Sequence, residues 1–141
     1  IQINKDEKFL IIGGILEEAA KSIIQMPNVT YIPQIAKTEL NSYLAKMKLG
    51  LIPYIINAHT VGVYPTKLFE YLAAGVPVLS TPLPEVAQYA DNDYMCISAN
   101  PINVSNLAFP MHQVEDIINR NTWDVRWKNY VKNIEQCLEL Q

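Results

Sequence analysis

Short apolar runs that stop at glycine, proline or a polar turn alternate along this chain with amphipathic stretches, and few folds accommodate that rhythm. "KFLIIGG" (8–14) is a continuous apolar run closed by two glycines, which suits a strand buried on both faces. "ILEEAAKSIIQ" (15–25) then spaces its apolar residues as a helix does and ends before Pro27. "NVTYIP" (28–33) reads as a second strand, "AKTELNSYLAKMK" (36–48) as a second helix with Thr38 a candidate N-cap, and "LGLIPYI" (49–55) as a third strand. A polar loop, "NAHTVGVYP" (57–65), leads into a helix over 65–74, framed by Pro65 at its start and Gly75 at its stop. "VPVLST" (76–81), a short helix "PLPEVAQYA" (82–90) and "YMCISA" (94–99) complete the alternation, and residues 101–141 carry a helical pattern with a break near 119–122. Tyr43, Met47 and Leu51 are expected in the core, and Trp123 and Trp127, four apart, are expected to pack the terminal helix onto the domain.

Strands separated by helices and short connections predict a Rossmann-like, three-layer α/β/α domain built on a mostly parallel sheet. With 141 residues the chain is one domain's worth. Ligands of such sheets bind beyond the carboxyl ends of the strands. Informative residues are therefore expected at 13–14, 33–34, 54–65 and 81–85.

Composition removes several function classes. Half of the residues are hydrophobic and 18% are charged, which supports a buried core and argues against disorder. Net charge is −3, and the 11 basic residues are spread out, so no nucleic-acid footprint is present. Cys96 and Cys137 lack CxxC or Cys/His spacing and are expected as free thiols. The apolar runs fall short of a membrane span, and the absence of a leader points to the cytoplasm. The chain opens on Ile1 rather than Met, which fits a piece of a longer protein.

"YPTKLFEYLAAGVPVLST" (64–81) carries the chemistry. Leu68, Phe69 and Leu72 supply a core face, and Lys67 falls in the first helical turn, where the helix dipole disfavours a cation. Pairing with Glu70 at i,i+3 recovers only about a few tenths of a kcal/mol, because Lys before Glu is the poorer order. Two readings of the residues stand. One is a solvent-facing ion pair, common and worth little. The other is a grip: free N–H groups and Lys67 face a diphosphate, and the two Glu70 oxygens accept from a ribose diol. His59, in the loop over the cleft, is either a solvated loop histidine or a contact to a bound sugar. Glu85 needs no function as a charge at a helix start, and His112 reads as structural.

The segment "YPTKLFEYLAAGVPVLSTPLPE" (64–85) resembles the signature of the C-terminal, donor-binding domain of GT-B fold glycosyltransferases, the retaining group 1 or family 4 type. "NVTYIPQIAKTELNSYLAKMKLGLIPY" (28–54) and "NRNTWDVRWKNY" (119–130) extend the likeness to about residues 8–135. The resemblance implies that Glu70 binds the donor's ribose hydroxyls. It implies that Pro65, Thr66 and Lys67 approach the diphosphate and sugar, and that Ile32 and Pro33 form the loop under the base. It implies a donor that is a nucleotide-diphosphate sugar, an acceptor hydroxyl, and no essential metal or other cofactor. Bacterial polysaccharide or lipopolysaccharide synthesis is the implied setting, with the whole protein cytoplasmic or peripheral to the inner membrane.

Two departures from the family pattern matter. Gly62 occupies the position, eight before Glu70, where many relatives carry a second glutamate facing the transferred sugar. The family domain also begins with a strand, a glycine loop and a helix ahead of the strand that "KFLIIGG" matches. The chain is thus expected to be a fragment, without its first βα unit and without the N-terminal acceptor domain, and inactive alone. Its unpaired sheet edges invite a homodimer that fills the gap. Two other classes compete: a nucleotide-sugar epimerase of the same fold, which needs carboxylates and a histidine in the cleft, and a non-catalytic α/β interaction domain. A response-regulator type of the latter predicts acidic residues where the first strand ends in Gly13 and Gly14.

Overall fold

A computed structural model describes residues 1–14, 18–91, 93–109 and 118–139. Strand β1 (Phe9–Ile12) leads through α1 (Glu18–Ile24) to β2 (Val29–Ile32), and α2 (Lys37–Leu44) leads to β3 (Gly50–Ile52). A loop then reaches α3 (Thr66–Ala73), β4 (Val78–Ser80), the single turn α4 (Pro84–Ala87) and β5 (Met95–Ile97). Past β5, residues 101–109 hold only a 3₁₀ turn (Val104–Asn106) where a helical pattern was expected. Residues 118–120 are helical, the chain breaks at 121–122, and α5 (Trp123–Glu139) follows. His112 lies outside the described residues.

All pairing is parallel, as the alternation of strands and helices requires, and the fold is of the α/β, Rossmann-like class. Instead of one sheet the described residues form two. β1 and β2 pair from Phe9↔Val29 to Ile12↔Ile32. β3, β4 and β5 form the second sheet, with β4 central. Among the described residues neither β1 nor β3 has a hydrogen-bonded neighbour on its other side. This explains why β1, read as a strand buried on both faces, is half-buried along its whole length.

The core gathers around the second sheet, from Ile52 to Met95. Ile52, Leu68, Leu72, Val78, Leu83 and Val86 are completely buried, with Tyr94 and Met95 beside them. Tyr43, Met47 and Leu51, expected in the core, are only half-buried and are not part of it. The N-terminal segment is tied down by polar contacts. Buried Asn4 donates to Ile102 O at 2.9 Å and accepts from Val104 N–H at 2.8 Å, joining the entry to β1 with the segment that follows β5.

The sequence places α3 with two marks of punctuation. Pro65 is its N-cap rather than its first helical residue, with φ −78° and ψ 100° and no side-chain cap. At the other end Gly75 adopts φ +70°, a left-handed conformation that side chains resist. Its N–H donates to Leu72 O at 2.9 Å and Val76 N–H donates to Tyr71 O at 2.9 Å, a Schellman closure that turns the chain into β4. In α2, Ala36 is the N-cap, so Thr38 sits inside the helix and caps nothing.

The terminal helix docks otherwise than its tryptophans suggest. Trp123 and Trp127 are 84% and 64% exposed, so neither packs onto the domain. Arg126 makes the contact instead. Its guanidinium carbon lies 4.4 Å from the Tyr64 ring centroid and 4.8 Å from that of Phe69, and those two rings stack at 5.5 Å. Arg126 Nη2 also donates to Asn121 Oδ1 at 3.0 Å, an oxygen that Tyr89 Oη reaches at 3.1 Å. An arginine thus joins α5 to α3 while the larger apolar side chains face solvent.

Candidate functional site

A cavity of about 450 Å³ opens between the two halves of the molecule. Leu10 and Ile12 of β1, Leu40, Leu44 and Met47 of α2 and the residues after it, and Tyr71 of α3 give it an apolar lining. Gln34, Lys37, Lys67 and Glu70 are its more exposed, polar members and form the mouth, with Gly13 at the end of β1. Gly13 directly follows β1 and Gln34 follows β2 by two residues, so the mouth lies at the carboxyl ends of those strands.

The local sequence explains why these side chains converge. Leu68 and Leu72 are fully buried, which fixes the rotation of α3 and turns Lys67, Glu70 and Tyr71 toward the cavity. The Tyr71 ring lies over the backbone of Gly50 at the start of β3, so close that an added Cβ there would sit 2.5 Å from Tyr71 Cγ. Burial, and next to it the Glu70 carboxylate, push the Tyr71 phenol above its ordinary pKa, so this side chain stays neutral beside the charged residues.

Glu70 does not pair with Lys67. Its Oε1 lies 3.9 Å from Nζ of Lys37, which comes from α2 on the other wall of the cavity. Lys37 is the first residue of α2 and Lys67 the second of α3. Both ammonium groups therefore sit where the helix dipole disfavours them. Among the described residues Lys67 makes no ion pair. At the start of α3 the Leu68 N–H donates to Pro65 O at 3.0 Å. Among the described residues the mouth thus holds two cations against one carboxylate. Its chemistry is that of an anion site with a pair of acceptor oxygens alongside.

Of the residues singled out in the sequence, Lys67 and Glu70 line this cavity. Thr66 is exposed in the same first turn and Pro65 is buried as the cap. Ile32, half-buried, closes β2 and Pro33 is exposed after it, but the next two residues, Gln34 and Ile35, are the ones in the lining. His59 is exposed in a loop ordered by Asn57, whose Oδ1 accepts from the N–H groups of His59 at 2.9 Å and Thr60 at 3.1 Å; it lies outside the lining. Gly13 and Gln34, in the post-strand stretches 13–14 and 33–34 expected to be informative, are in the lining, whereas sequence reading missed Lys37. A signal for Lys37 existed, a cation at a helix start, the same irregularity that marks Lys67. Among the described residues no group of three His, Cys, Asp or Glu is placed to hold a metal ion. Among them too, no helix is long and apolar enough to cross a membrane.

Residues 1–120 match the family described as "Glycosyl transferases group 1". A relative, the putative teichuronic acid biosynthesis glycosyltransferase TuaH of Bacillus subtilis (strain 168), is 34% identical over 68 residues. That alignment covers 48% of this chain and 17% of the relative, so the chain spans a small part of the curated protein it matches. With most of its length matched, the chain belongs to the glycosyl transferases group 1 family.

Proposed function

We propose that this chain is the donor-binding part of a glycosyltransferase that moves a sugar from a nucleotide-diphosphate sugar to an acceptor hydroxyl. One observation carries the reading: Lys37, Lys67 and Glu70, drawn from two helices, meet at one cavity mouth at the carboxyl ends of strands. In the bound donor, the Glu70 carboxylate accepts from the two ribose hydroxyls. Lys67 and the N–H groups at the start of α3, beside Thr66 and Pro65, face the diphosphate. The base rests against the end of β2 and the loop after it, at Ile32, Pro33 and the adjacent Gln34.

Transfer breaks the bond from the sugar's anomeric carbon to the diphosphate oxygen and forms one to the acceptor oxygen, whose proton is lost. The negative charge that develops on the leaving diphosphate is what fixed ammonium groups and helix N–H groups stabilise, with no metal in the scheme. The epimerase alternative is disfavoured by His59, which stands outside the cavity lining, where that chemistry needs a histidine. The relative is named for teichuronic acid biosynthesis, which supports bacterial polysaccharide synthesis as the setting.

The acceptor side belongs to a further domain of the whole protein, and these 141 residues alone bind donor without turning it over. The edge of β1 that has no hydrogen-bonded neighbour among the described residues borders the same cavity, and a further strand added there joins the two sheets. In the isolated chain a second copy fills that role, so sedimentation gives a dimer at high concentration; a clean monomer contradicts the pairing.

Thermal shift with UDP- and GDP-sugars tests the donor assignment. One of the two raises the Tm of the wild-type chain and not that of Glu70→Ala. No shift with either nucleotide class, or an equal shift in Glu70→Ala, removes the support for this site.

A further inference from the structure

Lys37 belongs to neither the sequence motif nor the helix that carries it, yet it is the residue that Glu70 meets. Its ammonium lies 3.9 Å from Glu70 Oε1 while its side chain is 88% exposed, and Glu70 is 37% exposed. A pair this open contributes little to folding. Stability alone therefore does not account for a cation placed at the start of α2, where the helix dipole opposes it.

What the pair does have is a position. Lys37 and Lys67 stand on α2 and α3 and line one cavity, with the carboxylate of Glu70 the one acidic group at its mouth among the described residues. Glu70 neutralises one ammonium, and the other is left without an ion-pair partner among the described residues. A neutral nucleoside leaves that excess unanswered. A ligand with two or more negative charges satisfies both lysines and leaves the carboxylate free for neutral donors such as hydroxyls.

Resting on the donor-site reading above, we propose that Lys37 is a diphosphate-binding residue of this site. It holds the Glu70 carboxylate at the mouth in the unliganded chain. When a nucleoside diphosphate enters, it turns its ammonium to the diphosphate from α2, across from Lys67 on α3. The exchange replaces a carboxylate partner with a phosphate one, so the lysine stays paired throughout. It also sets a preference for the diphosphate over the free nucleoside.

Calorimetric titration of the 141-residue chain tests this, with UDP, GDP, uridine and guanosine as probes against wild type, Lys37→Ala, Lys37→Arg and Glu70→Ala. Lys37→Ala is expected to weaken the bound nucleoside diphosphate by about 5-fold or more, and Lys37→Arg to restore it to within about 2-fold. Affinity for the matching nucleoside stays within about 2-fold in all the Lys37 variants, and the wild-type preference for the diphosphate steepens as salt is lowered. Three results overturn the proposal. If Lys37→Ala binds as wild type does while Glu70→Ala does not, the lysine is a solvated surface residue and the donor-site reading stands. If nucleoside and diphosphate weaken equally and arginine does not rescue, its role is structural. If wild type binds none of the probes, this proposal and the donor-site reading fall together.

Discussion

Replacing Gly50 by alanine tests how the cavity wall is built. Gly50 is buried at the start of β3, and its N–H donates to Pro77 O at 2.8 Å. A methyl group there would lie 2.5 Å from Cγ and Cδ2 and 2.8 Å from Cδ1 of Tyr71. Carbon atoms in contact sit about 3.5–4.0 Å apart, so the ring must retreat by roughly 1 Å or the strand must shift. The atoms that clash are the near edge of an aromatic ring on a helix whose Leu68 and Leu72 are fully buried, so little slack is available. Overpacking of this kind costs about 1–3 kcal/mol. At about 4 °C per kcal/mol for a chain of this length, Tm falls by roughly 4–12 °C. The assay is calorimetry or urea unfolding of Gly50→Ala in two backgrounds, wild type and Tyr71→Ala. Without the ring the clash is gone, and alanine regains the roughly 0.5–1 kcal/mol that glycine costs inside a strand. The sign of the effect therefore reverses, and the coupling between the two sites exceeds about 1.5 kcal/mol. An equal penalty in both backgrounds would refute the placement of the Tyr71 ring on β3.

Other outcomes follow from the same geometry. Burial and the Glu70 charge raise the Tyr71 pKa in the folded state, so folding retains its full stability below the ordinary tyrosine range and loses it as pH climbs through the raised value. Tyr71→Phe keeps the ring and removes the ionisation; comparing urea midpoints at about pH 8 and about pH 11 should show a smaller alkaline loss in the variant. On the terminal helix, Arg126→Ala should cost about 1–2 kcal/mol, since it loses two aromatic faces and the bond to Asn121. Trp127→Ala should stay within about 0.5 kcal/mol, and a larger loss would mean that this tryptophan is covered.

Legibility from sequence divided along the kind of signal involved. Strand and helix order came through because apolar runs and 3.6-residue spacing are local, and every strand of the alternation is present. Gly75 as the stop of α3 was readable because few other residues accept its φ of +70°. Lys67 stood out because it broke a helix rule and did gather with Glu70 at a cavity. Its expected partner was wrong by one helix: the nearer cation to Glu70 is Lys37, 33 residues away in sequence, a distance that spacing rules for a single helix do not reach. The tryptophans misled for a related reason. Aromatic residues four apart predict a buried stripe, but the domain offers α5 a polar and aromatic groove made by Tyr64, Phe69, Tyr89 and Asn121, which arginine fits better. The split of the sheet between β1 and β3 is a property of hydrogen bonding between distant segments, and no local pattern records it.

The most direct test of the donor site is backbone amide NMR of the 141-residue chain titrated with UDP and with GDP, repeated on Glu70→Ala. One nucleotide should perturb the amides of Gly13, Gln34 to Lys37 and Thr66 to Tyr71, with saturation, and Glu70→Ala should weaken that response by about 10-fold or more, the effect of losing a charged hydrogen-bond partner worth about 1.5 kcal/mol or more. Perturbations that map away from the cavity mouth, or that survive the loss of the Glu70 carboxylate unchanged, would contradict the account.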